Sequence, residues 1–239
     1  MIFVCGCPHS GTSLVAAMLG AHSAVFTIPI ETYVFARNDS DPVRVRAFFE
    51  HYEAEAQGAR YLCEKTPGHT QHFDAIYSIF PEARVIAVVR DPRGVAASMR
   101  GRIGRLDAGW QRWNAANRRV RKLLASERAA HLVHYESLIG DPAATLAELC
   151  TFLGLGYEPA MLEYHRDDRE WFKAKGRRDN QGAGEKDQRE YRNWQIHQPL
   201  MDKRFEWRRL LTPEEIAQVE AECAPVMRHF GYEPEAMPA

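Results

Sequence analysis

The opening stretch limits what the chain can fold into more than any other part of it. Ile2-Phe3-Val4-Cys5 is an unbroken apolar run of the kind that forms a strand buried on both faces. It passes at once into Gly6-Cys7-Pro8-His9-Ser10-Gly11-Thr12-Ser13, after which Leu14, Val15, Met18 and Leu19 repeat at helical spacing. A strand that enters a helix through a glycine turn is the starting unit of a parallel sheet with helices packed on it.

That turn keeps the two glycines of the phosphate-binding pattern G-x-x-x-x-G-K-[ST]. Gly6 and Gly11 allow backbone N–H groups to turn inward around an anion, the new helix adds its positive dipole end, and Ser10, Thr12 and Ser13 add hydroxyl donors. The lysine of the pattern is replaced by Thr12. Nucleoside triphosphatases depend on that lysine and on Mg²⁺ to compensate the triphosphate charge, so ordinary ATP hydrolysis is disfavoured. The alternative for the turn is a merely structural strand–helix connection.

Further strands and helices alternate along the rest of the sequence. Tyr61-Leu62-Cys63 reads as a short strand ending at Glu64-Lys65-Thr66-Pro67, Arg84 to Val89 as the strongest strand, and His131 to Tyr135 as another. Asp41-Pro42, Asp91-Pro92 and Asp141-Pro142 each place a capping carboxylate before a proline at the first helical position. Helices are expected over Val43–Gln57, His69–Ile79, Trp110–Glu127 and Pro213–His229, the last with Thr212 and Glu215 as a capping box. The expectation is one domain over residues 1–239 with a three-layer α/β/α fold, a mainly parallel sheet and the P-loop nucleotide-binding type of architecture. Lys173–Asn193, polar and glycine-bearing, reads as a mobile loop.

Composition sets few limits beyond this. The 239 residues are 45% apolar and 26% charged with a formal charge of −1, which does not suit a dedicated nucleic-acid binder. Arg100, Arg102, Arg105, Arg112, Arg118, Arg119, Arg121 and Lys122 crowd one stretch, either as a face for a phosphorylated or sulfated ligand or as a solvated helix surface. The five cysteines show neither zinc spacing nor a disulfide framework. With no signal-peptide pattern and no apolar run near the ~20 residues of a membrane span, a soluble cytoplasmic protein is expected.

Two downstream motifs follow strand ends: Arg90-Asp-Pro-Arg93-Gly-Val-Ala-Ala-Ser98 and Tyr135-Glu-Ser-Leu-Ile-Gly-Asp-Pro142. Together with Pro8-His-Ser-Gly-Thr-Ser13 they resemble the sulfotransferases that use 3′-phosphoadenosine 5′-phosphosulfate (PAPS), with the tyrosylprotein and carbohydrate enzymes of the Golgi and their bacterial relatives looking most similar. The resemblance runs over Phe3–Phe152 and resumes over Gln195–Tyr232.

It implies that Pro8, His9, Ser10, Gly11, Thr12 and Ser13 hold the 5′-phosphosulfate, that Arg90 and Ser98 hold the 3′-phosphate, and that Tyr135 touches the adenine or else fills the core. It also implies sulfonate transfer to a hydroxyl or amine, with 3′,5′-adenosine bisphosphate as product and no metal required. Glu31 is then the candidate base, and Lys65 the cation for the bridging oxygen as the S–O bond breaks. His9 stands where relatives usually carry arginine or lysine; the expectation is that it still contacts the sulfonate or bridging oxygen. The acceptor is open among carbohydrate, peptide, lipid and small molecule, as is a homodimer. Trp110, Trp113, Tyr164, Trp171 and Phe172 are candidates for its walls, against the alternative that they are core. The competing functions are a P-loop phosphotransferase acting on a small hydroxyl and a nucleotide-binding relative with weakened chemistry.

Overall fold

The computed structural model describes residues 1–166, 194 and 196–235. Five strands form one sheet: β1 (Ile2–Gly6), β2 (Val25–Thr27), β3 (Tyr61–Lys65), β4 (Arg84–Val89) and β5 (Ala130–His134), in the order β2-β3-β1-β4-β5. Every pairing among them is parallel. Side chains alternate across β1, and both faces are covered. Phe3 and Cys5 meet one apolar cluster, while Ile2 and Val4 meet the other.

The first cluster takes in α2 (Val34–Arg37), α3 (Pro42–Glu55), α4 (Phe73–Ile79), α5 (Pro92–Ile103), α6 (Asp107–Leu124) and the terminal α10 (Pro213–His229). The second takes in α1 (Thr12–Gly20), α7 (Tyr135–Gly140) and α8 (Pro142–Leu153). The short α9 (Trp207–Leu210) packs its tryptophan beside Ala97 of α5. The three-layer arrangement expected from the alternating pattern is therefore present.

The three Asp-Pro helix starts behave as the sequence predicts. Asp41, Asp91 and Asp141 accept the backbone N–H of Arg44, Arg93 and Ala144. Thr212 and Glu215 form the reciprocal capping box of α10.

Other boundaries are corrected. The helix expected over His69–Ile79 is a 3₁₀ turn, Pro67–Gln71, followed by α4, because the buried His69 side chain turns in against Glu64. The long basic helix runs from Asp107 to Leu124, and Arg118, Arg119, Arg121 and Lys122 on it are exposed. Tyr135 does not end a strand; it begins α7. The strand β2 was not anticipated from sequence. The loop expected over Lys173–Asn193 lies outside the described residues, as do Trp171 and Phe172.

Parallel pairing brings all the strand C-termini to one edge, where ligands of such sheets bind. The register fixes what gathers there. Val4 pairs with Lys65, Gly6 with Val88, and Val89 with His134, so Arg90 and Tyr135 emerge side by side next to the glycine turn. Among the described residues no helix is long and apolar enough to cross a membrane.

Candidate active site

The glycine turn is held tightly from behind. A Cβ on Gly6 would lie 2.4 Å from the Val88 carbonyl oxygen, so only glycine lets β1 leave the sheet this close to β4. His9 (φ 72°) and Gly11 (φ 94°) both take left-handed backbone conformations, which is costly for histidine and ordinary for glycine. The Ser10 N–H donates to the Cys7 carbonyl at 3.2 Å. Gly11 caps α1 without any side-chain acceptor, and the first turn of α1 carries no acidic residue. The amides there are thus placed for an external anion.

Gly11 also packs closely against a ring. A Cβ at this position would fall 2.7 Å from Cδ2 of Tyr135, on top of the strain at φ 94°. Gly11→Ala is expected to destabilise the protein by at least about 1–2 kcal/mol. Thermal unfolding would show this as a fall of roughly 2–4 °C per kcal/mol; an unchanged midpoint would mean that the turn is not under this constraint.

The next cradle is built around Arg90, which is 9% exposed. Its Nη1 donates to the His9 carbonyl at 3.2 Å and its Nη2 to the Lys203 carbonyl at 2.8 Å. The guanidinium stands 4.2 Å from the centroid of the Tyr135 ring. From below, Trp113 Nε1 donates to the Arg90 carbonyl at 2.8 Å. Ser98, two turns into α5, places its Oγ 2.8 Å from His9 Nδ1. The side chain of the loop histidine therefore meets the residue expected at the far phosphate.

The neighbourhood of Arg90 is fixed by a second buried cluster. Glu136 accepts the Asp91 N–H at 3.0 Å and the Tyr232 hydroxyl at 2.7 Å. Burial pushes the Glu136 carboxyl above its ordinary value, against the pull of these donors. Asp91 also pairs with Arg93, which reaches Glu220 of α10. Asp91 thus serves as cap and ion-pair partner.

Glu31 and Lys65 form a buried pair. Lys65 Nζ donates to Glu31 Oε1 at 2.7 Å, with the two side chains 1% and 8% exposed. The Tyr33 hydroxyl donates to Glu31 Oε2, also at 2.7 Å. Glu31 lines the same cleft, about 610 Å³ in volume, as Pro8, His9, Gly11, Thr12, Ser13, Arg90, Ser98 and Tyr135. Ser10 is fully buried within the turn itself. Every residue singled out from sequence for nucleotide binding or catalysis lies in this cleft or in direct contact with a residue that lines it, a size typical of small-ligand sites.

The Sulfotransferase family model matches residues 39–159, half of the chain. This protein belongs to the sulfotransferase family. The matched stretch contains Lys65, Arg90, Ser98 and Tyr135, so the family assignment does not depend on the glycine turn. The chain is 29% identical over 197 residues to protein-tyrosine sulfotransferase 1 of Danio rerio, covering 69% of this chain and 56% of that protein. It is 26% identical over 274 residues to protein-tyrosine sulfotransferase 2 of Gallus gallus, covering 100% of this chain and 71% of that protein. The sulfotransferase domain of the Synechococcus PCC 7002 olefin synthase shares the fold, with a TM-score of 0.72 at 21% identity over 98% of this chain and 94% of that one.

The sequence of this sulfotransferase did not point to several residues at the site. Lys203 contributes through its carbonyl, which carries no side-chain signal. Trp207 lines the cleft from a segment with no motif around it, whereas Tyr164, named above as a candidate wall, both lines the cleft and belongs to a core cluster. Trp110 and Trp113 are core, as one of their two readings held. Gln198 turns its amide back to the Trp194 carbonyl at 3.1 Å.

Proposed function

We propose that this sulfotransferase, as one domain, moves a sulfonate group from PAPS to a hydroxyl or amine acceptor and releases 3′,5′-adenosine bisphosphate. The observation that carries the reading is the direct joining of two anion cradles through His9. Its carbonyl accepts from Arg90 Nη1, and its ring contacts Ser98 Oγ. A nucleotide with phosphates at both ends of its ribose can bridge such neighbouring cradles, whereas a triphosphate carries its charge in a single row. Thr12 in place of a lysine and the Arg90–Ser98 pair both speak against the phosphotransferase alternative.

The donors at the site fit PAPS. Ser10 Oγ and Arg90 Nε are buried without a hydrogen-bond partner in the protein, a condition that native structures rarely tolerate without a ligand or water. The turn of Pro8 to Ser13 and the amides of α1 would hold the 5′-phosphosulfate. Arg90 and Ser98 would hold the 3′-phosphate, with the ring of Tyr135 as a wall for the nucleoside. When bound, PAPS supplies an activated sulfonate whose leaving group is a phosphate oxygen.

Glu31 then takes the proton of the acceptor as its oxygen attacks. Lys65, already ion-paired with Glu31, keeps that carboxylate charged and supplies positive charge toward the departing oxygen. His9 holds the two cradles in register and donates to the phosphosulfate end. The similar protein-tyrosine sulfotransferases make a phenolic hydroxyl the first acceptor to try.

Thermal shift with nucleotides tests the reading. At 100 times its dissociation constant, 3′,5′-adenosine bisphosphate is expected to add about 2.7 kcal/mol of stability without Mg²⁺. A shift with Mg-ATP and none with the bisphosphate would sink the proposal.

A further inference from the structure

The Glu31–Lys65 pair is held in place by a buried polar device that no part of the reaction uses directly. Glu64 precedes Lys65 on β3 and points to the opposite face, with its side chain 0% exposed. Its Oε1 accepts the Thr32 hydroxyl at 2.8 Å and the Thr66 hydroxyl at 2.5 Å, with the Thr32 N–H at 3.4 Å. Thr66 Oγ1 in turn accepts the N–H of Thr32 at 3.0 Å and that of Tyr33 at 3.3 Å. Thr32 Oγ1 accepts the Val34 N–H at 3.2 Å. On its other side, Glu64 Oε2 lies 2.9 Å from His69 Nδ1, whose ring is 1% exposed and packs edge-on to Phe35.

All three amides held here follow Glu31 directly in sequence. They include that of Tyr33, whose φ of 51° lies in the left-handed region that a tyrosine adopts only when its surroundings impose it. This turn brings the Tyr33 hydroxyl onto Glu31 Oε2 while β3 brings Lys65 onto Oε1. The device therefore ties the two segments that carry the pair to a single buried carboxylate.

We propose that Glu64, Thr66 and His69 are positioning residues for sulfonate transfer: they lock the 31–34 turn so that Glu31 sits on Lys65 at the cleft wall. The inference rests on the assignment of Glu31 as base. Burial alone would raise the Glu64 carboxyl, but the His69 imidazole 2.9 Å away, with the hydroxyls of Thr66 and Thr32, holds it below the ordinary carboxylate value. The other titratable groups around it are Cys5 of β1, Cys63 and Lys65 of β3, and His72, which faces His69. Because the folded-state value is depressed, the lock is fully present above the ordinary carboxylate range and is lost as pH falls through the lowered value.

Three variants of the full chain test this: Glu64→Gln, Thr66→Val and, as the conservative control, Thr66→Ser. The first readout is hydrogen exchange at the amides of Thr32, Tyr33 and Val34. The second is transfer between 4-nitrophenyl sulfate and 3′,5′-adenosine bisphosphate, followed as release of 4-nitrophenolate. Glu64→Gln and Thr66→Val are expected to speed exchange at these amides by about tenfold, the scale of one lost hydrogen bond. They should lower kcat by about ten- to a hundredfold, the cost of a small misplacement of reacting groups.

Affinity for the bisphosphate and exchange in β1 and β4 should hold, and Thr66→Ser should behave like the unaltered protein. Protected amides in both variants, an unchanged kcat, or loss of protection that spreads into β1 and β4 would each overturn the proposal. If the unaltered protein fails to bind the bisphosphate, the sulfonate reading fails instead, and exchange at the three amides still decides whether Glu64 and Thr66 lock the turn.

Discussion

Glu31→Gln is expected to lower sulfonate transfer by about 10²–10⁴-fold, the usual contribution of a positioned general base. The amide keeps the volume and one acceptor oxygen of the carboxylate but cannot take the acceptor's proton at any ordinary pH. Nucleotide binding should change little, because in the proposed reading the turn of Pro8 to Ser13 and Arg90 hold the phosphates without Glu31. A second effect follows from geometry. Lys65 is 1% exposed and loses the charge that compensates it at 2.7 Å. Breaking one side of a buried ion pair costs about 3–5 kcal/mol, so the variant should also unfold more easily. Glu31→Gln combined with Lys65→Met removes both charges and should regain most of the stability while remaining inactive. That dissociation separates chemistry from folding. A Glu31→Gln enzyme with a rate near that of the unaltered protein would remove Glu31 from the mechanism.

What the sequence disclosed, and what it hid, follows the range of the forces involved. The glycine turn was legible because its determinants are local: two glycines at fixed spacing, hydroxyls beside them, and apolar residues before and after. The Asp-Pro helix starts were legible for the same reason, since a carboxylate caps an amide two or three residues away. The strand β2 was not, because three residues carry no period of their own and it exists through its pairing with β3, Val25 opposite Tyr61. The break in the expected His69–Ile79 helix has a different cause. His69 meets the carboxylate of Glu64 at the end of the preceding strand, and no helix period registers that contact.

Tyr135 illustrates a different limit. Its aromatic, β-favouring side chain at the end of an apolar run suggested a strand residue. Its ring instead lies so close to Gly11 that an added Cβ would clash with it, and the guanidinium of Arg90 stands 4.2 Å from its centroid, so packing at the glycine turn, not strand propensity, sets its place. The residue could be singled out from sequence even though its secondary structure could not, because the motif that begins with it marks the strand end. The lock around Glu64 was invisible for a related reason: Glu64-Lys65-Thr66 reads as one polar strand end, and only the alternation of β3 sends its members to different faces and different tasks.

Arg90→Ala is expected to weaken binding of 3′,5′-adenosine bisphosphate by roughly 30-fold to several thousandfold, the effect of truncating one partner of a buried, hydrogen-bonded charge pair at about 2–5 kcal/mol. The loss has two parts. One is direct: on the proposed reading, the 3′-phosphate loses its guanidinium donors. The other is structural, because the carbonyls of His9 and Lys203 both accept from Arg90 and would lose their donor. Arg90→Lys separates the two. An ammonium restores charge but offers no planar fork, so it cannot reach both carbonyls and the phosphate at once. It should recover only a minor part of the affinity, and the turn should stay loosened, which hydrogen exchange at residues 9–13 would report. Full recovery by lysine would mean that Arg90 acts as a point charge alone, and the claim that it joins the two cradles would fall with it. Gly94 sharpens the case, since a Cβ there would lie 3.0 Å from Arg90 Nε. Gly94→Ala should therefore weaken binding of the bisphosphate while leaving the Arg90 side chain intact, by pressing its guanidinium out of place. Isothermal titration of the three variants against the same nucleotide measures each part of the argument in turn.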